Sequence, residues 1–465
     1  MRPILLAMLA AAALPARALP PQALDDLTAG VHDEVVAWRR DLHAHPELGE
    51  QETRTAALVA KHLRALGFED VRTGIAPTGV TAILRGARPG PRIALRADMD
   101  ALPVTEATGL PFASTVTSTY RGQPVGVMHA CGHDAHVAIL MGVAQALASV
   151  REQLAGEVMV IFQPAEEGPP VAGSVFGAAA MLKKGVFREF EPDAVFGLHV
   201  WSALPVGRVG ARSGPMMAAA DEWVLQLAGR QTHGSKPWDG IDPITVAAQV
   251  HLGWQAILAR QVDITRSPVV LTTGRIAGGV RFNIIPDAAE MTGTLRTFDA
   301  GVRDDVIARM RRTAEHFAQA SGASATLTVN ANAPVTVNDP ALAARALQSL
   351  RTAAGADAVE EMPLVTVAED FAHYAAVAPT FFWFVGSTDP DLDPATAPAN
   401  HSPKFLLDER ALDVGVRTML QVAADALAPA EPGPAAPVSS ADEASSFLPR
   451  MAADERGWPR IKLFN

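Results

Sequence analysis

EVMVIFQPAEEG (157–168) runs through successive apolar residues from Val158 to Phe162 and ends on Gln163, Pro164 and two adjacent glutamates, Glu166 and Glu167. A continuous apolar run of this kind fits a strand covered on both faces, with its polar residues collected where the strand ends. RIALRAD (92–98) and DAVFGLHVW (193–201) repeat the pattern on either side, and amphipathic helical stretches separate the three. The alternation predicts an α/β layer fold with a central, mostly parallel sheet flanked by helices, and sites in such sheets lie at the strand ends.

A different rhythm begins near Asp221: strand EWVLQLAG, helix PITVAAQVHLGWQAILARQ, strand PVVLTTGRIAG, strand AAEMTGTLRTF, helix GVRDDVIARMRRTAEHFAQA and strand ATLTVNA. This βαββαβ order predicts an inserted ferredoxin-like α+β domain over 221–333. A helix near 340–353, the strand TFFWFVG (380–386) and a helix near 408–427 then resume the first pattern. The first domain is therefore discontinuous, 27–220 and 334–427. Residues 428–465 read as an Ala-, Pro- and Ser-rich linker followed by a tail.

The chain has 465 residues, 49% of them hydrophobic, enough for two or three domains with full cores. Lys and Arg number 39 against 50 Asp and Glu, and no basic run could track a phosphate backbone, which excludes nucleic-acid binding. Arg2, the apolar stretch Ile4 to Leu14 and Ala16-Arg17-Ala18 read as a cleaved signal peptide over 1–18. The expected product is periplasmic or secreted, with no membrane attachment after cleavage. Its single cysteine, Cys131, cannot form an internal disulfide.

MHACGHDAHVAIL (128–140) is the densest cluster of chemistry-bearing residues. His129, Cys131 and His133 alternate at period two and would project from one side of an extended segment, where a Cys and a His can share a metal. Asp134 would cap the helix that follows and place His136 just inside it as a packed or surface imidazole. After the 157–163 run, Glu166 and Glu167 repel each other unless cations neutralise them, so that one could ligate while the other accepts a proton. His199 closes another strand run and His401 stands in NHSPKF. A mixed Cys, His and carboxylate set suits Zn²⁺, Mn²⁺, Co²⁺ or Ni²⁺ rather than Ca²⁺ or Mg²⁺. Five candidate ligands are too many for one tetrahedral ion with an open position, and two ions would use them all.

DLHAHPELGEQE, RADMDALPV, MHACGHDAH, QPAEEG, GLHVW, THGSKPWDGIDPI, FNIIPD, AEDFAHY and NHSPKF, in this order over roughly 41–420, resemble the dimetal amidohydrolases and peptidases. The similarity is to the branch of hippurate hydrolase and the indoleacetyl-amino-acid hydrolases, related to the aminoacylases and zinc carboxypeptidases. It implies a zinc-exopeptidase-like catalytic domain holding two divalent ions (Mn, Zn, Co or Ni). The implied ligands are Cys131, His133, Glu167, His199 and His401, with Cys131 as the bridge and Glu166 as the general base. Asp100 is implied to orient a ligand imidazole, in a block where more distant relatives carry a His ligand and this chain has none; Asp98 there has no assigned role. In the insert, His233 matches a histidine that relatives contribute from the partner subunit to polarise the substrate carbonyl. Asn283 matches a residue near the substrate carboxylate, and Trp238 stands where the family often has a second His. Arg281 could pair with the same carboxylate. A homodimer through the inserted domain is implied as well.

The reaction this predicts is metal-dependent hydrolysis of the amide bond of N-acyl amino acids, with Glu166 moving the proton and His233 stabilising the oxyanion. A metallo-carboxypeptidase or dipeptidase acting on short peptides is the alternative within the class. A non-catalytic periplasmic binding protein, the alternative outside it, would have no use for both Glu166 and His233.

Overall fold

Along the strand Arg88–Asp98, Ile93, Leu95 and Ala97 enter one hydrophobic core and Ala94 enters another. Strand Ala155–Gln163 divides in the same way, Val158, Val160 and Phe162 against Met159 and Ile161, and so does Thr380–Thr388. Side chains that alternate between two buried faces make a run continuously apolar in sequence. The structure, a computed structural model, describes residues 20–171, 173 and 175–428.

With Ala194–Pro205, these strands lie in the spatial order 155–163, 88–98, 194–205, 380–388, and each neighbouring pair is parallel. The flanks depart from the mostly parallel arrangement expected. Glu69–Ile75 and Gly79–Arg85 form a hairpin that joins 155–163 antiparallel; Val209–Ala211 joins 380–388 antiparallel and pairs in parallel with Val359–Glu361. The eight-stranded sheet is therefore mixed. The connections 76–78 and 206–208 are too short for a parallel crossover, which takes a dozen or more residues.

Helices Pro21–Ala44, Thr53–Ala65, His133–Ser149, Pro340–Ala354 and Arg410–Leu427 cover one face of the sheet, and Gly177–Lys183 with the 3₁₀ segment Asp370–Ala376 covers the other. Between Val206 and Pro340 the chain builds a separate four-stranded sheet from Ala219–Ala228, Val269–Gly278, Ala288–Thr297 and Ser324–Ala333. Its spatial order is 269–278, 288–297, 219–228, 324–333, all antiparallel, and helices Pro243–Arg260 and Ala300–Ala320 share its core. This is the ferredoxin-like insert, starting two residues before the expected Asp221. Trp223 and Trp254 meet edge to face at its centre, 4.7 Å apart.

No helix among the described residues is long and apolar enough to cross a membrane. The expected signal peptide, 1–18, and the 428–465 tail apart from Ala428 lie outside the described residues.

Asp134 does not cap its helix, contrary to expectation. The N-cap position is Gly132, and the Asp134 carboxylate instead meets the N-terminal helix, 2.7 Å from His43 Nδ1 and 3.0 Å from Arg39 Nε. His43 Nε2 lies 3.1 Å from Glu106 Oε1, so both ring nitrogens face carboxylates and the imidazole is held protonated. Burial opposes that charge, but Asp134 and Glu106 outweigh it and raise the pKa to about 9. A folded-state pKa above the ordinary 6.5 gives stability that is complete below 6.5 and lost as pH rises through 9. The thermal midpoint of His43→Gln should therefore fall furthest below wild type near pH 6, with the gap closing by about pH 9.5. A gap independent of pH would mean that the imidazole is neutral when folded.

Candidate metal centre

The parallel strands end in a cluster of ligand-type side chains. Asp98 ends the 88–98 strand and Asp100 follows it, Glu166 and Glu167 follow 155–163, His199 lies in 194–205, and His401 occupies a loop beyond 380–388. Cys131 and His133 come from the turn into helix His133–Ser149, where Gly132 takes a left-handed φ of +94°. A Cβ at Gly132 would stand 2.3 Å from Val200 Cγ2, so glycine lets the turn seat against the sheet.

Cys131 Sγ lies 3.3 Å from His199 Nε2 and 3.2 Å from His401 Nε2, and His401 Nε2 is 2.8 Å from Glu167 Oε1. Cys131, His133 and His199 converge with their donor atoms within 4.8 Å of one another, and so do Cys131, Glu167 and His401. Cys131 belongs to both sets. His133 Nδ1 is 3.3 Å from Asp100 Oδ1, yet neither ring nitrogen of this buried imidazole makes an aligned hydrogen bond. His199 donates through Nδ1 to the Val200 carbonyl at 2.6 Å, which leaves its Nε2 lone pair aimed at the thiol.

His136 sits in the same cluster with both ring nitrogens already engaged. Its Nδ1 donates to Asp98 Oδ1 at 2.6 Å and its Nε2 accepts the Val200 N–H at 2.9 Å, so it is a packed imidazole, as expected. Asp98, given no role from sequence, also takes Arg96 Nη1 at 2.7 Å. The period-two reading fails at His129, which joins none of the converging donor sets that contain Cys131 and His133. His129 is buried, both its ring nitrogens lack hydrogen bonds, and burial lowers its pKa to about 3.

Asp100 Oδ1 and Oδ2 accept the backbone N–H groups of Glu166 and Glu167, each at 2.9 Å. The two glutamates then diverge. Burial opposes ionisation of Glu167, but its hydrogen bond and charge contact with His401, and the charge of His133, hold its pKa below the usual value. Glu166 is pushed well above that value by burial and by Glu369, Glu167 and Asp370, and its Oε1 accepts the Asp370 N–H at 3.2 Å. Burial, Glu167 and Glu166 drive the Cys131 thiol well up. The protein alone cannot ionise this thiol; a divalent cation beside Sγ would. An un-ionised thiol, an imidazole flanked by carboxylates but without an aligned hydrogen bond, and crowded carboxylates fit two cations.

Sequence reasoning missed the support beneath this cluster. Arg96, fully buried, reaches Asp98, Glu369 Oε1 and Asp370 Oδ1 (2.9 Å each for the last two) and Gln163 Oε1 at 3.0 Å. Asn400 Nδ2 donates to the Cys131 carbonyl at 3.0 Å. An arginine inside an otherwise apolar, two-face-buried run was the available signal.

The insert residues do not join the cluster within one chain. His233 is exposed, in a two-residue strand opposite Ile284–Ile285, and its Nδ1 accepts the Ser235 N–H at 3.1 Å. Arg281 is exposed; Asn283, part-buried, leaves its Oδ1 without a partner. No hydrogen bond or ion pair links these three to the cluster among the described residues. Trp238, Val280 and Phe282 stand exposed on the same segments, Phe282 at 96%.

A mixed α/β sheet with cysteine, histidine and carboxylate donors converging at its strand ends defines a metal-dependent hydrolase. The chain matches Peptidase family M20/M25/M40 over residues 94–425 and belongs to that family. It is a hydrolase acting on amide bonds. It is 39% identical over 387 residues to thermostable carboxypeptidase 1 of Saccharolobus solfataricus, covering 83% of this chain and 93% of that one. With N-acetyl-L-cysteine deacetylase of Bacillus subtilis it shares 38% identity over 379 residues, 82% of this chain and 85% of the relative. The crystal structure of a dinuclear metal-binding M20 peptidase from Bacillus subtilis superimposes with a TM-score of 0.70 at 36% identity, covering 86% and 99% of the two chains.

Removing the metals should abolish activity and lower the thermal midpoint, because bound ions would add bonds between ligands as far apart in sequence as Cys131 and His401. Adding back a divalent cation should restore both. Full activity in protein shown by elemental analysis to be metal-free would end the metal assignment.

Proposed function

We propose that this enzyme cleaves the amide bond of N-acyl amino acids, with two divalent ions drawn from Mn, Zn, Co and Ni held by Cys131, His133, Glu167, His199 and His401. The observation that carries this reading is the split between adjacent glutamates: Glu167 faces His401 and Glu166 faces Glu369 and Asp370. When bound, the ions supply Lewis acidity, which polarises the scissile carbonyl and lowers the pKa of attacking water toward about 7. Glu166, its pKa raised by burial and by its acidic neighbours, takes the proton from that water and returns it to the leaving amine. Asp100 orients His133 and fixes the backbone of both glutamates. His233 stabilises the developing oxyanion, a contribution of about 3 to 4 kcal/mol for one such donor. Asn283 and Arg281 receive the substrate carboxylate.

His233 acts, in this reading, on the site of a second copy. Its exposure beside Trp238, Val280 and Phe282, with no hydrogen bond or ion pair to its own cluster among the described residues, supports a homodimer joined through the insert. The N-terminal apolar segment supports a periplasmic or secreted location. The similarity to a carboxypeptidase favours short peptides as a second substrate class, since both share a free carboxylate beside the scissile amide.

A panel of N-acyl amino acids and dipeptides, read by released amine, tests the assignment. Glu166→Gln should keep its metal while losing about 10² to 10⁴ in turnover, and Glu167→Gln should lose metal. The opposite pattern would mean that the two carboxylates exchange roles.

Subunit exchange tests the dimer. Glu166→Gln and His233→Ala homodimers should each be inactive, but a mixed dimer has one site with both groups intact. Refolding the two together makes half the dimers mixed, with one good site of two, so activity should return to about a quarter of wild type. No recovery in a preparation whose mixed dimers are verified by mass would place His233 outside the partner's site.

A further inference from the structure

The segment PELGEQET (46–53) has been given no task, although it lies directly against the turn that carries both glutamates. A Cβ on Gly49 would stand 2.6 Å from the Gly168 carbonyl oxygen and 3.0 Å from Ala165 Cβ. Glu52 occupies the N-cap position of helix Thr53–Ala65, but its side chain makes no capping bond. Glu47 does that work, accepting the N–H groups of Arg54 and Thr55 at 2.9 Å each. The Glu52 carboxyl, fully buried, turns inward: Oε1 accepts the Ala165 N–H at 2.8 Å and Oε2 accepts the Thr78 hydroxyl at 2.5 Å.

Ala165 holds a left-handed φ of +52°, a conformation that is costly for a non-glycine residue. Three successive amides at this turn are each held by a buried carboxylate: Ala165 by Glu52, Glu166 and Glu167 by Asp100. Burying one more acid beside Asp100 is costly, and helix capping does not require it.

We propose that Glu52 is a positioning residue for the reaction: it locks the left-handed Ala165 turn and thereby aims Glu166 and Glu167 at their separate tasks. It acts by hydrogen bonding and touches neither substrate nor metal. The proposal rests on the reading of Glu166 as base and Glu167 as ligand, so its test includes a readout that does not depend on turnover.

The experiment compares the full-length, metal-loaded wild type with Glu52→Ala, Glu52→Gln and Thr78→Val. It measures amide hydrogen exchange over peptides spanning 160–170, zinc affinity by competition with a chelator, and kcat and KM on a substrate found in the panel. Glu52→Ala should expose the Ala165 amide to exchange, weaken zinc binding about 10- to 100-fold, and lower kcat at least tenfold with KM little changed. Glu52→Gln should rescue all three, because its amide oxygen still accepts from Ala165 and its amide nitrogen can donate to Thr78. Thr78→Val removes only the hydroxyl that steadies Oε2 and should show about a threefold loss in zinc affinity and kcat. It carries the test should Glu52→Ala fail to fold.

Wild-type exchange and zinc affinity in a folded Glu52→Ala, or in Thr78→Val if the alanine variant does not fold, would overturn the proposal. Losses in Glu52→Gln equal to those in Glu52→Ala would overturn it too, since they would assign the effect to charge. If exchange rises and zinc affinity falls while kcat stays constant, the brace exists but the roles given to the glutamates are wrong.

Discussion

Buried charge is the constraint on which this molecule is built. Around the strand ends stand seven carboxyl groups, those of Glu52, Asp98, Asp100, Glu166, Glu167, Glu369 and Asp370, and one permanent cation, Arg96. The Arg96 guanidinium joins Asp98 from its own strand to Glu369 and Asp370 from a segment far along the chain. Removing one member of a buried pair leaves its partner uncompensated, at a cost of about 3 to 5 kcal/mol. One arginine cannot balance so many acids, and the shortfall is where divalent cations enter. Structure and metal requirement are two sides of the same electrostatic problem.

The same constraint separates the functions of two neighbouring residues. Glu166 and Glu167 share a turn and an anchoring carboxylate, so sequence proximity cannot distinguish them. Their surroundings do: His401 and His133 hold Glu167 ionised against its burial, and burial together with Glu369 and Asp370 resists a charge on Glu166. Pairs of titratable groups whose environments push their pKa values apart are the usual way in which one site provides both an anion and a proton acceptor. Asp370 acts twice here, its side chain resisting the charge on Glu166 and its N–H fixing the Glu166 carboxylate in place.

The strands and the insert were legible because burial on two faces, and the 3.6-residue period of helices, leave marks within short windows. Cys131, His133 and the glutamate pair could be picked out for the same reason: their chemistry is anomalous locally. What could not be read were partnerships over long separations. Arg96 meets residues 369 and 370, and Glu52 meets the 165 turn; nothing near Arg96 or Glu52 in sequence shows what it will face. His133 and His136 lie three residues apart on one helix, and only the positions of Asp98 and Val200 make the second a packed imidazole. A period of two groups His129 with Cys131 and His133, yet only the latter two converge, and they do so across a left-handed Gly132 that no extended segment would contain.

Chain order also divides the labour between domains. Cys131, His133, Glu167 and His199 precede the insert and His401 follows it, so the cluster is complete without any residue from 219–333. Strand Gly214–Met217 enters the insert and Thr336–Asn338 leaves it, and the two are paired antiparallel to each other. Asn338 pins that ribbon to the sheet, donating to the Phe382 carbonyl at 2.9 Å and accepting the Phe382 N–H at 2.7 Å. A hydrogen-bonded ribbon anchored on a central strand limits the insert far more than two free linkers would. Groups carried by the insert, His233 among them, are thus presented on a defined support, and that support starts beside the strand, 380–388, which leads to His401.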